Sequence, residues 1–297
     1  MGPRGGTEIL LEKLASYVDR RLLARVNLIT SRTGMENLRS DLPNVLWHHL
    51  YTDQDNSSGF ANSEFIDALD RIVFVSNWQM EEFISKFSIP RSRCTVLLNA
   101  IDTIDWVEKP RKEKLKLLYT STPWRGLEVL LDSYTMMGRS DVELDVYSST
   151  VIYGTSFMPR GYDWLFNRCR QTPGVNYRGY VANKAVVRAC SGSHILAYPS
   201  IFRETSCLSA IEAGAAGLKI VTTDLGALSE TCGQWATYTP VGPELVKEYA
   251  GALGASIDAY WQNYSVLREQ AEWFNRVYSW NTRRIEWTNL LEEICVK

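Results

Sequence analysis

The chain has 297 residues, which at about 100–200 residues per domain corresponds to two domains. Hydrophobic residues make up 45% and charged residues 22%, a globular composition that excludes a disordered tail or a fibre. Lys and Arg number 32 against 34 Asp and Glu, for a net charge of −2. That balance argues against nucleic acid or an anionic membrane as the main partner, since both select a strongly basic face.

In chain order, the first pattern is a helix from Thr7 to about Arg21, with Leu11, Leu14, Ala15, Val18 and Leu22 on one stripe. Apolar, β-branched runs at Val26–Thr30, Asn44–Leu50 and Arg71–Ser76 predict strands, and the last feeds a helix over Trp78–Phe87. The segment Asp53 to Gly59 is turn chemistry. A basic run, Lys109 to Lys114, reads as a solvated linker where a domain boundary is due. Beyond it strands and helices alternate. Strands are expected at Leu115–Tyr119, Val142–Tyr147, Val175–Arg178, His194–Tyr198 and Lys219–Thr222. Helices are expected at Leu127–Met137, Tyr162–Arg170, Asn183–Cys190 and Ser206–Ala216. This alternation predicts βαβ units around parallel sheets buried on both faces. Glu244–Tyr260, Val266–Val277 and Asn281–Cys295 close the chain as helices. The expected domains are 1–107, reduced in size, and 108–277, with 278–297 as a helix packing back toward the first.

No apolar run approaches the 18 residues of a membrane span. The start, Met1 to Gly6, has no apolar core of a signal peptide. The glycine-rich turn Gly2-Pro3-Arg4-Gly5-Gly6 lacks the strand that normally feeds it, so the expectation is a truncated chain or an unusually small N-terminal domain with an open sheet edge. The six cysteines never approach CxxC spacing, which predicts reduced thiols, no zinc site and a cytoplasmic setting. Ten Trp and fifteen Tyr suit either core packing or a ring-binding cleft.

The segment Tyr198 to Gly217 is the most informative. A strand ends at Pro199, a loop presents Glu204, and a helix starts near Ser206 with Glu212 about two turns in. The helix mouth offers free N–H groups from Thr205, Ser206, Cys207 and Leu208 and the positive end of the dipole, a ready phosphate site. The small residues after Glu212 imply close packing around a buried carboxylate, and the equal alternative is a surface-loop Glu204 with a solvated Glu212. An anion site flanked by two carboxylates suits a sugar nucleotide. His48 and His49 follow an expected strand, and alternation puts their rings on opposite faces.

This segment resembles the E-x7-E signature of retaining glycosyltransferases of family 4, which have the GT-B fold. Supporting stretches are Arg71–Asn77, Leu97–Asp102, the turn Thr122-Pro123-Trp124-Arg125-Gly126-Leu127, the turn Arg178-Gly179-Tyr180, and Thr223–Glu230. The resemblance spans residues 70–240. It implies two Rossmann-like domains facing a cleft, with C-terminal helices. It also implies a metal-independent transfer from a nucleotide-diphosphate sugar, UDP- or GDP-type, to a carbohydrate, lipid-linked or other glycan acceptor, with no other cofactor. In this scheme Arg125, Glu204 and His49 are the catalytic group: Arg125 balances the leaving diphosphate, and Glu204 and His49 contact the donor sugar. Glu212 takes the ribose, Tyr180 and Val181 the base, and Thr205 to Leu208 the diphosphate. His48 supports the sugar site, and Gly5 and Gly6 resemble the N-domain glycine loop. Two departures stand out. Family members carry an earlier Arg in the phosphate turn, where Thr120 or Ser121 stands here, and Thr205-Ser206-Cys207 replaces Gly-Phe-Gly. The alternatives are a catalytically weak nucleotide-sugar-binding protein and a GT-B sugar-nucleotide epimerase; a dehydrogenase lacks its G-x-G-x-x-G. Peripheral membrane association and a dimer are both compatible with this reading.

Overall fold

The computed structural model describes residues 5–109, 111, 114–151 and 161–296. The chain divides into two compact units, each built on one parallel sheet. The smaller comprises Gly6–Asp102, Glu204–Ser206 and the chain from Val277 onward; the larger comprises Thr103–Arg203 and Cys207–Arg276.

In the smaller unit, α1 (Gly6–Tyr17) and the single turn α2 (Arg20–Leu23) lead into β1 (Asn27–Thr30) and β2 (Asn44–His48). Then come α3 (Ser63–Asp67), β3 (Arg71–Phe74), α4 (Asn77–Phe87) and β4 (Cys94–Val96). The strands pair in sequence order, β1-β2-β3-β4, all parallel. Every residue of β2 is buried, as a parallel strand covered on both faces requires. One side of the sheet closes over Ile29, Leu46, Phe60, Phe65, Ile72, Phe74 and Phe83. Helix α4 starts where it does because Ser76 caps it, its Oγ accepting from Gln79 N at 3.1 Å. Gln79 answers with three bonds. Its Oε1 accepts from Val75 N, and its Nε2 donates to the carbonyls of His48 and Leu50. The end of β2 is thereby fixed to the start of α4.

The larger unit holds β5 (Leu115–Thr120), α5 (Leu127–Met137), β6 (Val142–Tyr147), α6 (Asp163–Gln171), β7 (Val175–Tyr177) and α7 (Asn183–Gly192). It continues with β8 (Ile195–Tyr198), α8 (Leu208–Ala215), β9 (Lys219–Thr223), α9 (Leu228–Cys232), β10 (Ala236–Thr239), α10 (Leu245–Asp258) and α11 (Val266–Val277). The strand order is β10-β9-β8-β5-β6-β7, all parallel. The order reverses between β5 and β8, the topological switch point of a doubly wound sheet. The last helix, Trp280–Val296, returns to the smaller unit. There Trp287 meets Trp47 edge-on at 5.0 Å and Trp280 stacks on Tyr17 at 5.5 Å.

Several expectations need correction. Gly6 opens α1 rather than a glycine loop, and residues 2–4 of the turn expected over Gly2–Gly6 lie outside the described residues. The helix expected from Ser206 starts at Leu208. Lys109 is no solvated linker residue: it is 4% exposed. Its Nζ donates to the carbonyls of Cys190 and Ser191 at the C-terminal end of α7, where a cation meets the negative end of the helix. Burial pushes its ammonium down to about 8. The strands β4 and β10 and the short helices α3 and α9 were not expected. All six cysteines are free thiols, and no helix of the described residues is long and apolar enough to cross a membrane.

Candidate functional site

Ligands of doubly wound sheets bind beyond the carboxyl ends of the strands at the switch point. Here the loops after β5 and β8 leave that point and touch. Gly126 follows the short 3₁₀ turn Pro123–Arg125 and has φ 110°, a conformation that L side chains rarely adopt. A Cβ there would lie 1.9 Å from the Pro199 carbonyl oxygen, so only glycine allows the two loops to close on each other. The closure puts the Arg125 guanidinium 4.3 Å from the centre of the Phe202 ring, a cation–π contact. Phe202 is itself held by Ser200, whose Oγ accepts from Phe202 N and donates to Phe202 O. Thr222 and Thr223 donate their hydroxyls to Tyr198 O and Ser200 O, each at 2.7 Å, and so tie the β8 loop to β9. Ser209, in the first turn of α8, donates to Thr120 O at 2.5 Å. The side chains of Thr120, Thr122 and Ser148, at the carboxyl ends of β5 and β6, are buried hydroxyls without a hydrogen-bond partner among the described residues.

Helix α8 has Cys207 at its N-cap position, 3% exposed, with no side-chain cap. Leu208, Ser209 and Ala210 N–H therefore have no acceptor within the helix and face the positive end of its dipole. These donors lie further along than the expected Thr205 to Leu208, because residues 204–206 group with the smaller unit and do not wind into the helix. Glu212, one turn on, is buried, and burial raises its carboxyl to about 7. Asn183 Nδ2 donates to Glu212 Oε1 at 2.8 Å and acts in the opposite direction. Arg178, after β7, pairs with Asp145 at 3.0 Å, and Gly179 at φ 66° turns the chain. Tyr180 follows, 45% exposed, and then half-buried Val181.

The smaller unit carries the rest. His48 is fully buried between the Phe60 and Phe83 rings, with Nε2 3.1 Å from Ser57 Oγ. His49 is half-buried, its ring 4.5 Å from that of Trp47. Burial pushes both imidazoles down to about 3, so both are neutral at physiological pH. Ser31, at φ 49°, accepts from His49 N at 3.0 Å and sits 3.3 Å from His49 Nδ1. Thr205 donates to His49 O at 2.6 Å. Glu204, expected on an open loop, is 3% exposed. The two glutamates are thus divided: Glu204 belongs to the smaller unit and Glu212 to the larger. Gly5 groups with the larger unit and Gly6 with the smaller. Sequence reasoning missed Asn183, Gln79, Phe202 and Ser31. Only Gln79 had a local signal, as the third residue after a capping serine.

Residues 114–258 match the family model of the group 1 glycosyl transferases. This segment is similar to a group 1 glycosyltransferase domain. It contains the switch-point loops, Arg125 and Glu212. The whole chain is similar in fold to solved glycosyltransferases of the GT-B type. A glycosyltransferase from Rickettsia africae is 15% identical over 99% of this chain and 84% of its own, with a TM-score of 0.71. Anabaena HepE, solved with UDP and glucose, is 14% identical over 97% of this chain and 83% of its own, with a TM-score of 0.72. Sucrose-phosphate synthase from Thermosynechococcus elongatus is 14% identical over 86% and 69%, with a TM-score of 0.68. No curated protein matches the sequence. Among the described residues no group of three His, Cys, Asp or Glu could hold a metal ion.

Proposed function

We propose that the protein transfers a sugar from a nucleotide-diphosphate sugar to an acceptor hydroxyl, with retention of configuration and without a metal ion. The observation that carries this is the buried Glu212 of α8, held by Asn183 of α7, in a segment that matches the group 1 glycosyl transferase model and whose β5 loop carries Arg125. HepE was also solved with UDP-glucose, which favours a UDP-sugar as the first donor to test. In this reading the first-turn amides of α8 and the Arg125 guanidinium bind the diphosphate, and Glu212 accepts the ribose hydroxyls. Tyr180 and Val181 contact the base, while Glu204 and His49 are assigned to the donor sugar. The acceptor hydroxyl attacks the anomeric carbon from the face the diphosphate leaves, the leaving oxygen takes the hydroxyl proton, and Arg125 balances the growing negative charge. Preorganised charge stabilisation of this kind usually outweighs the other sources of rate enhancement in an enzyme.

A second reading, a nucleotide-sugar-binding protein with weak turnover, is favoured by a single observation. The phosphate turn offers Arg125 as its cation, with Thr120 and Ser121 where a second is usual. Release of the nucleotide diphosphate from UDP-, GDP-, ADP- and TDP-sugars, with glycan acceptors and excess EDTA, separates the two. Turnover that survives EDTA is expected. Binding without turnover supports the second reading, and abolition by EDTA removes the metal-independent scheme.

A further inference from the structure

Asn183 opens α7 but does not cap it. Ala182 holds the N-cap position and provides no side-chain bond, although Asn is among the best capping residues and Ala among the poorest. The Asn183 amide instead crosses to α8, where Nδ2 donates to Glu212 Oε1 at 2.8 Å. Asn183 is exposed and the carboxylate it holds is buried. A local preference surrendered for contact with a site residue is the pattern expected where function sets the choice.

We propose that Asn183 is a positioning residue for the nucleotide. It holds the Glu212 carboxylate by one oxygen and keeps Oε2 for the ribose hydroxyls, so the inference rests on the ribose assignment above. An amide N–H stabilises the charged form of a carboxylate, and this bond opposes the burial that disfavours it. Asn183 thereby favours the ionised form of Glu212, in which both oxygens accept. Tyr180 and Val181, assigned to the base, lie three and two residues before it, so one short segment carries both the base contact and the hold on the ribose carboxylate.

The test is calorimetric titration of UDP, GDP, ADP and TDP into the full chain and its Asn183→Ala, Asn183→Asp and Glu212→Gln variants, from about pH 5 to about pH 9. Asn183→Ala should weaken the best diphosphate about tenfold near neutrality, the effect of one hydrogen bond to a charged group. Its loss should narrow as the pH rises, with the acid limb of binding displaced to higher pH. Asn183→Asp should do the reverse. Two facing carboxylates share a proton at low pH and repel at high pH, so its loss grows with pH. A merely structural role for Asn183 would produce neither pH signature. Parental affinity of Asn183→Ala at every pH, or an equal loss at every pH in both Asn183 variants, overturns the inference. If Glu212→Gln weakens binding while Asn183→Ala does not, Asn183 alone is wrong. If Glu212→Gln binds all four like the parent, or the parent binds none, the ribose assignment fails and takes this inference with it.

Discussion

Glu212 is caught between its fold and its task. Burial raises its carboxyl from 4.5 to about 7, so the folded protein binds a proton there that the unfolded chain has released. Stability contributed by that proton is complete below about 4.5 and is lost as pH rises through about 7. At about 1.4 kcal/mol per unit, the ionised carboxylate costs on the order of 3 kcal/mol. Glu212→Gln removes that cost. It should melt higher than the parent at pH 8, with the difference closing toward pH 5, as scanning calorimetry in the absence of nucleotide would show. A pH-independent difference would mean that the folded carboxyl does not titrate abnormally in this range. Arg125 poses a kinetic question instead. Charge on the diphosphate grows as the glycosidic bond breaks, so the guanidinium helps the transition state more than the bound donor. Arg125→Ala should lower turnover by about 10²-fold or more, with a smaller change in donor affinity. Arg125→Lys should recover part, since a point charge serves a phosphate but loses the stacking on Phe202. Full activity in Arg125→Ala would take this residue out of the mechanism.

At the level of elements, the contact of Gly126 with the Pro199 carbonyl is the constraint that joins the β5 and β8 loops. Gly126→Ala forces both a positive φ and a collision with backbone. The positive φ alone costs about 1–3 kcal/mol, and the collision should move Arg125 away from Phe202. Lower thermal stability together with reduced turnover is expected, and unchanged turnover would show that the loop contact does not position Arg125. The same loops show what the sequence could disclose. Helices α5 and α11 lie where their apolar periodicity put them, and buried strands such as β8 announce themselves by continuous apolar runs. β4 and β10 do not: each is short and mostly half-buried, with polar residues such as Thr95 and Thr237 diluting the pattern. Lys109 was illegible because its partners, the carbonyls of Cys190 and Ser191, lie some eighty positions away. Nothing local says that a lysine will cap a distant helix. Arg125 and Glu212 are candidates because their segments resemble a known family. The Asn183 bond could not be read in this way, because it depends on how α7 and α8 pack.

At the scale of the molecule, the chain leaves the smaller unit at Asp102 and returns to it at Val277, and the returning helix completes a core that the chain left 175 residues earlier. Trp287 is fully buried and meets Trp47 of β2 edge-on. Arg71 of β3 bonds Glu293 at 2.8 Å, and Arg25 donates to the Cys295 carbonyl at 3.0 Å. Losing a buried Trp to Ala costs about 3–5 kcal/mol, a large share of what a unit of this size commands. If each unit closes its own core, that loss should fall on one of them. Trp287→Ala should raise amide exchange in peptides from β1 to β4 and the last helix, while peptides from β5 to β9 keep their protection. Hydrogen exchange read by mass spectrometry resolves the two sets, because protection reports the free energy of the smallest opening that exposes each amide. Equal loss across both would mean that the units open as one cooperative body. Selective loss would mean that the larger unit is stabilised by its own sheet and helices.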